Sequence, residues 1–296
     1  MDALAWACTQ VTPTGEPVIV SAEPWATVWR VPVADGVVYA KECHGRWEFE
    51  PALTAAVSAR WPDVAVTVLA VDRGRARLVL ADAGSPVIDI GNPPELWCEV
   101  LPRYAELQRG ETAHAGEHLA TGVPDLRTER LPAEYEWFLG LPLPLADDDH
   151  RRLVGFAPAF GRLCADLAAT GTADTVQHDD LHHRNVFRGP TGVRVLDWGD
   201  TSIAHPFFSA VVTFRFLEEH NGFAPTDPWF ARVRDAYLEP WGAGRVDEFD
   251  LAQRVGIFAH AIAWAHCRAG LAPAEQVEFD RDYPVILRRA LARIER

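Results

Sequence analysis

The chain has 296 residues, of which 48% are hydrophobic and 24% charged, enough for a sizeable core in one large or two small domains. Its 42 acidic residues against 28 basic ones give a net charge of −14, which excludes the basic surface that a nucleic-acid partner needs and suits a cationic small substrate as well as plain solubility. Five scattered cysteines without a C-x-x-C pair, a start carrying Asp2 and no basic residue, and no apolar run near the roughly 18 residues of a membrane span argue against a zinc ribbon, a disulfide framework, a secretory signal and a bilayer crossing, so a reducing cytoplasm is the expected setting.

In chain order, Val18-Ile19-Val20 reads as a first strand. Thr27–Val31 and Val37–Lys41 read as a hairpin through Ala34-Asp35-Gly36, because Asp-Gly between β-rich runs is a hairpin signal. Pro51–Arg60 reads as a helix with proline in its first turn, where the missing N–H costs nothing. Val64–Asp72 and Ala76–Ala81 repeat the hairpin pattern around Arg73-Gly74. From Pro94 the pattern turns helical. Glu95–Arg109 carries Leu96, Trp97, Val100, Leu101, Tyr104 and Leu107 at helical period, with Pro102 predicting a kink. Asp147-Asp148-Asp149 suits a helix N-terminus, and that helix is predicted to run to about Ala169, with Gly171 ending it. Trp229–Trp241, Phe249–Cys267 and Arg281–Arg296 read as amphipathic helices. His260 and Trp264 share a face of the second, a spacing that signals packing more often than a pocket wall.

The stretch with chemistry is Val176–Asp200, VQHDDLHHRNVFRGPTGVRVLDWGD. Four residues separate Asp180 from Asn185, the spacing of a phosphoryl-transfer catalytic loop. There a carboxylate orients the attacking hydroxyl, and an amide oxygen joins a second carboxylate in holding magnesium. The short strand Val193–Leu196 leads to that second carboxylate, Asp197, and Gly192 and Gly199 mark turns on either side. A dense His/Asp cluster also admits a metal-dependent hydrolase, but such a site leaves Asn185 and Asp197-Trp198-Gly199 without a task.

His178-Asp179-Asp180-Leu181-His182 with Asn185, followed by Leu196-Asp197-Trp198-Gly199, resembles the aminoglycoside phosphotransferase (APH) family. That family's usual pattern is H-G-D-L-H-x-x-N and then I-D-W/F-G. Position 179 departs from it, with Asp in place of Gly. The resemblance implies an α+β, bilobal protein-kinase-like fold, with a small β-rich nucleotide-binding lobe over 1–83 and a larger, mainly helical lobe over 84–296 that carries the catalytic loop and acceptor pocket. It implies ATP and Mg²⁺, Asp180 as catalytic carboxylate, Asn185 and Asp197 as metal ligands, and His178 as a tie within the loop. It gives Lys41, the single lysine of the chain, the task of pairing with nucleotide phosphates, held by Glu50 or by its neighbour Glu48, the family segment favouring Glu50. The phosphate-covering loop falls near Ser21–Thr27. It lacks the glycines of protein kinases and offers the Ser21 and Thr27 hydroxyls and backbone amides. Adenine is expected on the backbone of Ala81 to Ala83. Where the family often has Asp to steady the loop, this chain has Ser209. Asp200 is a candidate for a cationic acceptor or for a local turn, and His182 and His183 for turn capping.

The implied reaction is transfer of the γ-phosphate of ATP to a hydroxyl of a small molecule: an aminoglycoside, another antibiotic or an amino sugar. A choline-, homoserine- or sugar-type metabolite kinase and a catalytically weak nucleotide-binding regulator are the alternatives of the same fold.

Overall fold

A computed structural model describes residues 1–190, 192–224 and 226–294. It opens with a helix that composition alone did not announce, α1 (Ala3–Gln10), capped by Asp2, whose Oδ1 accepts the Ala5 N–H at 2.7 Å. The strands β1 (Val18–Glu23), β2 (Ala26–Val33), β3 (Gly36–Cys43), β4 (Val68–Asp72) and β5 (Arg77–Ala81) form one antiparallel sheet in the order β1-β2-β3-β5-β4. The central strand is β3, with Lys41 opposite Val28 on one side and Leu78 on the other. Strand alternation sends Val38 and Ala40 to one face, where they pack with Val31, Val79 and Ala7 of α1. Lys41 and Cys43 point to the other face, toward α2 (Glu50–Arg60).

Val64–Val66, expected as the start of a strand, lie outside the sheet. Val195 N–H donates to Val64 O at 2.8 Å and Val66 N–H donates to Val195 O at 3.3 Å. These residues therefore pair with the strand that leads to Asp197, and β4 begins only at Val68. Ala76 has a left-handed φ of 50°, so it belongs to the turn and β5 starts at Arg77.

The helical part comprises α3 (Pro94–Glu111), α4 (Ala115–Ala120), α5 (Leu131–Leu139), α6 (Asp147–Ala168), α7 (Ser209–Asn221), α8 (Pro228–Leu238), α9 (Val246–Ala269) and α10 (Val277–Ile294). The expected end of the last helix, Glu295-Arg296, lies outside the described residues. α3 continues through Pro102. One core joins these helices through Trp97, Tyr104, Phe160, Phe207 and Phe258, and α9 runs through it buried on most of its surface. Among the described residues no helix is long and apolar enough to cross a membrane.

Five short strands frame the loop between these helices. β6 (Ser85–Pro86), β8 (Val186–Gly189) and β9 (Gly192–Val195) make one small sheet, whose β8–β9 hairpin matches expectation. β7 (Thr175–His178) pairs antiparallel with β10 (Thr201–Ala204), with His178 opposite Thr201. All eight residues of this pair are buried, so neither strand shows the alternation that betrays a half-exposed strand.

The sheet and the helices are joined by a buried charge cluster. Arg60 at the end of α2 donates from Nε and Nη2 to both oxygens of Glu111, at 2.7 and 2.6 Å. Trp61 Nε1 donates to Oε1 at 2.8 Å, and His118 Nε2 meets Oε2 at 2.6 Å. The Trp61 ring lies so close to α3 that a Cβ on Gly110 would stand 2.1 Å from its Cζ2.

Candidate active site

Lys41 is 9% exposed, and its Nζ lies 2.7 Å from Glu50 Oε1 and 2.7 Å from Asp197 Oδ1. Of the two candidate glutamates it meets Glu50; Glu48 is exposed two residues earlier. Burial alone would discharge the ammonium, but Asp197 and Glu50 outweigh it and hold Lys41 well above its ordinary value. The same ammonium lowers Asp197, whereas burial raises Glu50 despite its partner. Cys43 Sγ donates to the other oxygen, Glu50 Oε2, at 3.3 Å. Gly199 packs so near this carboxylate that a Cβ there would come within 3.0 Å of Oε2, which gives the glycine of Asp197-Trp198-Gly199 a steric reason.

The catalytic loop is tied at both ends. His178 Nδ1 accepts the Asp180 N–H at 3.2 Å, so its Nε2 carries the hydrogen and donates to Leu196 O at 2.9 Å. One imidazole thereby spans the loop and the strand end before Asp197. Asn185 Nδ2 donates to Asp180 O at 2.9 Å and to Asp180 Oδ2 at 2.7 Å, which turns the amide oxygen away from these bonds. His182 Nε2 lies 3.1 Å from the same Oδ2. Burial would raise the Asp180 carboxyl, but the His182 hydrogen bond and the nearby His178 and His260 bring it down to about 2. His183 packs against Phe216 and His220, and burial lowers it to about 4. The three histidines thus face separate partners rather than one ion, as a hydrolase centre would require.

The sequence left open what supports the loop where the family often has Asp. Tyr104 of α3 accepts the His178 N–H at 2.9 Å, and its hydroxyl lies 2.8 Å from Ser209 Oγ. Thr213 Oγ1 donates to Leu181 O at 2.7 Å. No motif spacing signals the Tyr104–Ser209 contact, because 105 residues separate the pair.

Asp197 has φ 61° and ψ 65°, a left-handed conformation that costs a non-glycine residue energy and recurs at functional sites. Its side chain is 55% exposed and lines a cavity of about 310 Å³ together with Asp180, Asp200, Trp25, Trp47 and Trp264. Trp47 Nε1 donates to Asp200 Oδ1 at 3.4 Å. Burial, with Asp180 and Asp197 nearby, pushes Asp200 up to about 7.

Ser21 and Thr27 stand within β1 and β2, opposite Val28 and Ala22, and the turn between the strands narrows to Pro24-Trp25. Thr27 Oγ1 lies 3.4 Å from His44 Nε2. Ala81 ends β5, its N–H donating to Thr67 O at 2.9 Å, and Ala83 is buried where the chain crosses toward β6.

The donor set suits a hard cation. Asp197 Oδ2 and the Asn185 amide oxygen are oxygen donors, and magnesium takes one or two such groups together with substrate phosphates. Among the described residues no three His, Cys, Asp or Glu side chains form a self-sufficient metal site, so an ion held here would need further ligands from outside these residues.

The sequence pattern of the phosphotransferase enzyme family (APH) matches residues 98–249, a span that includes Asp180, Asn185 and Asp197. No curated protein matches the sequence. Among solved structures, ethanolamine kinase of Plasmodium vivax aligns over 97% of this chain and 86% of its own, at 11% identity and TM-score 0.67. An aminoglycoside phosphotransferase of the APH(2″) type, solved with GDP and kanamycin, aligns over 98% of each chain at 13% identity and TM-score 0.63. An amicoumacin kinase solved with AMP-PNP and Ca²⁺ aligns over 97% of this chain and 92% of its own, at 10% identity and TM-score 0.56. These likenesses show the protein-kinase-like fold expected from the motif, and the family match gives the reaction class. With Asp180, Asn185 and Asp197 inside the matched span, the chain belongs to the APH phosphotransferase enzyme family, whose members are small-molecule kinases.

Proposed function

We propose that this kinase transfers the γ-phosphate of ATP, with Mg²⁺, to a hydroxyl of a small molecule, an amino sugar or an aminoglycoside-like antibiotic being the leading class. A choline-type metabolite is the second reading. In this account residues 1–83 bind the nucleotide, and residues 84–296 supply the catalytic loop and the acceptor pocket. The observation that carries it is Lys41 Nζ lying 2.7 Å from both Glu50 and Asp197, next to the Asn185–Asp180 pair.

Each residue then has a task that its surroundings support. Lys41, kept charged and fixed by Glu50, binds phosphate oxygens. Ser21, Thr27 and the Pro24-Trp25 turn cover the phosphates, and the backbone of Ala81–Ala83 meets the base. Asp197 and the Asn185 amide oxygen would hold Mg²⁺. The bound ion neutralises charge on the phosphate oxygens. Asp180 orients the acceptor hydroxyl. A carboxyl brought down to about 2 is a weak base, so it takes the proton late, once the oxygen has begun to bond to phosphorus. AMP-PNP in one relative and GDP in another support a nucleotide in the cleft.

The test is phosphorus NMR of reactions containing Mg²⁺, ATP and single acceptors from an amino-sugar, aminoglycoside and choline series. A new phosphomonoester signal formed at the expense of ATP is the expected result. Hydrolysis to inorganic phosphate alone, with every acceptor, contradicts it.

A further inference from the structure

Position 179 departs from the family pattern, and the structure shows what the aspartate there touches. Asp179 is 6% exposed, yet it lines the same cavity as Asp180. Gln177 Nε2 donates to its Oδ1 at 3.1 Å, and Ser202 Oγ fixes the Gln177 amide by donating to its Oε1 at 2.9 Å. His260 of α9 stands 2.8 Å from Oδ2, and because a carboxylate only accepts, Nδ1 carries the hydrogen. His260 is itself 3% exposed, and its Nε2 has no partner among the described residues. Burying a carboxylate and an imidazole against each other is expensive, and glycine at 179 would need neither. Each oxygen of Asp179 accepts one bond here, which leaves lone pairs for a ligand.

The rest of the cavity indicates what that ligand carries. Asp179, Asp180, Asp197, Asp200 and Asp282 line it, against Arg46. Lys41 compensates Asp197, while neither Asp200 nor Asp282 has an ion-pair partner among the described residues. Aromatic rings line the same cavity. Trp25 lies 6.0 Å from Trp47 and 5.5 Å from Phe279, and Phe279 lies 5.1 Å from Trp264. Carboxylates and aromatic faces both attract an ammonium ion. Asp179 and Asp180 are consecutive, with Cα atoms about 3.8 Å apart. Both residues line one cavity, so one small molecule can meet both.

We propose that Asp179 is a specificity-determining residue that binds an ammonium group of the acceptor whose hydroxyl Asp180 holds, so that the enzyme selects amino alcohols over their hydroxyl-only counterparts. His260 is the positioning residue that fixes the carboxylate. The inference rests on the kinase reading of the site and adds to it the residue that selects an amine-bearing acceptor.

The experiment measures ADP release with saturating Mg²⁺ and ATP for paired acceptors: glucosamine against glucose, and ethanolamine against ethylene glycol. Wild type, Asp179→Asn, His260→Leu and His260→Gln are compared, and calorimetric binding of Mg-ATP checks that each variant is folded. Wild type is expected to turn over amine members of the pairs in preference to their hydroxyl-only counterparts. Asp179→Asn should raise the amine KM about ten- to a hundredfold, the effect of one lost charged hydrogen bond, and abolish the preference. His260→Leu should follow Asp179→Asn, and His260→Gln, which can still donate to the carboxylate, should recover part of the preference. A merely structural Asp179 would lower kcat for amine and hydroxyl members alike and leave their ratio unchanged, which overturns the proposal. So does turnover of the hydroxyl-only members in preference, or no turnover of any amine by an enzyme that binds Mg-ATP. Absence of Mg-ATP binding by wild type would instead bring down the kinase reading itself, and the inference with it.

Discussion

Lys41 and Asp197, 156 residues apart in the chain, meet at 2.7 Å and make an ion pair that ties the central strand of the sheet to the segment after β9. Glu50 completes the arrangement from α2. Lys41→Met should therefore do two separable things. Turnover falls by orders of magnitude, and stability falls by about 3–5 kcal/mol because the buried Glu50 carboxylate loses its counter-charge. Adding Glu50→Gln should recover much of the stability and none of the activity. Urea unfolding and ADP release on the single and double variants check this, and recovery of both together would contradict the assigned role of Lys41.

Asp180 carries a different burden. Its backbone and carboxylate receive Asn185, but it makes no contact with Lys41, so the nucleotide half of the site should stand without it. Asp180→Ala should leave Mg-ATP affinity within a few-fold of wild type and lower kcat by about 10²- to 10⁴-fold, the range of a positioned acid–base group. Loss of nucleotide binding by a folded variant would place Asp180 among the nucleotide ligands instead.

The Tyr104 hydroxyl joins the His178 N–H to Ser209 in the core beneath the loop. Tyr104→Phe leaves that buried N–H without an acceptor, at a cost of about 1–3 kcal/mol. It also frees the end of β7 from which Asp180 projects. We expect a lower kcat with little change in nucleotide KM, read by steady-state kinetics alongside thermal unfolding.

The charge cluster joining α2 to α3 predicts how the fold responds to acid. Burial would raise Glu111, but hydrogen bonds from His118, Arg60 and Trp61 outweigh it and lower the carboxyl from 4.5 to about 2. A depressed carboxyl stabilises the fold fully above its unfolded value and loses that contribution as pH falls through its folded value. Here about 3 kcal/mol is present above pH about 4.5 and disappears by pH about 2. Urea midpoints of wild type and Glu111→Gln should differ most near neutrality and converge as pH falls toward 2. A difference that does not change with pH would mean that Glu111 acts through packing alone.

Much of this site can be read in the sequence because its chemistry fixes residue types at short spacings. Asp180, Asn185 and Asp197 sit within one stretch, and the hairpin at Asp35-Gly36 places Lys41 on a central strand. What escaped the sequence depends on partners far away in the chain. Strand β7 finds its ladder only in β10, and the Tyr104–Ser209 and Asp179–His260 contacts cross 105 and 81 residues. The aspartate at 179 was visible as a departure, but its partner sits on a helix face that reads as ordinary packing. Val64–Val66 read as a strand because these apolar residues do pair, though with Val195 rather than within the sheet. Periodicity reports burial and leaves the partner unspecified.

The most direct measurement of the central claim is calorimetric titration of ATP, with and without Mg²⁺, into wild type and Asp197→Asn. The account predicts Mg-dependent binding to wild type that is lost or strongly weakened in the variant, since a negatively charged metal ligand is removed. Equal, metal-independent binding to both proteins would contradict the assignment of Asp197 and of the cleft it faces.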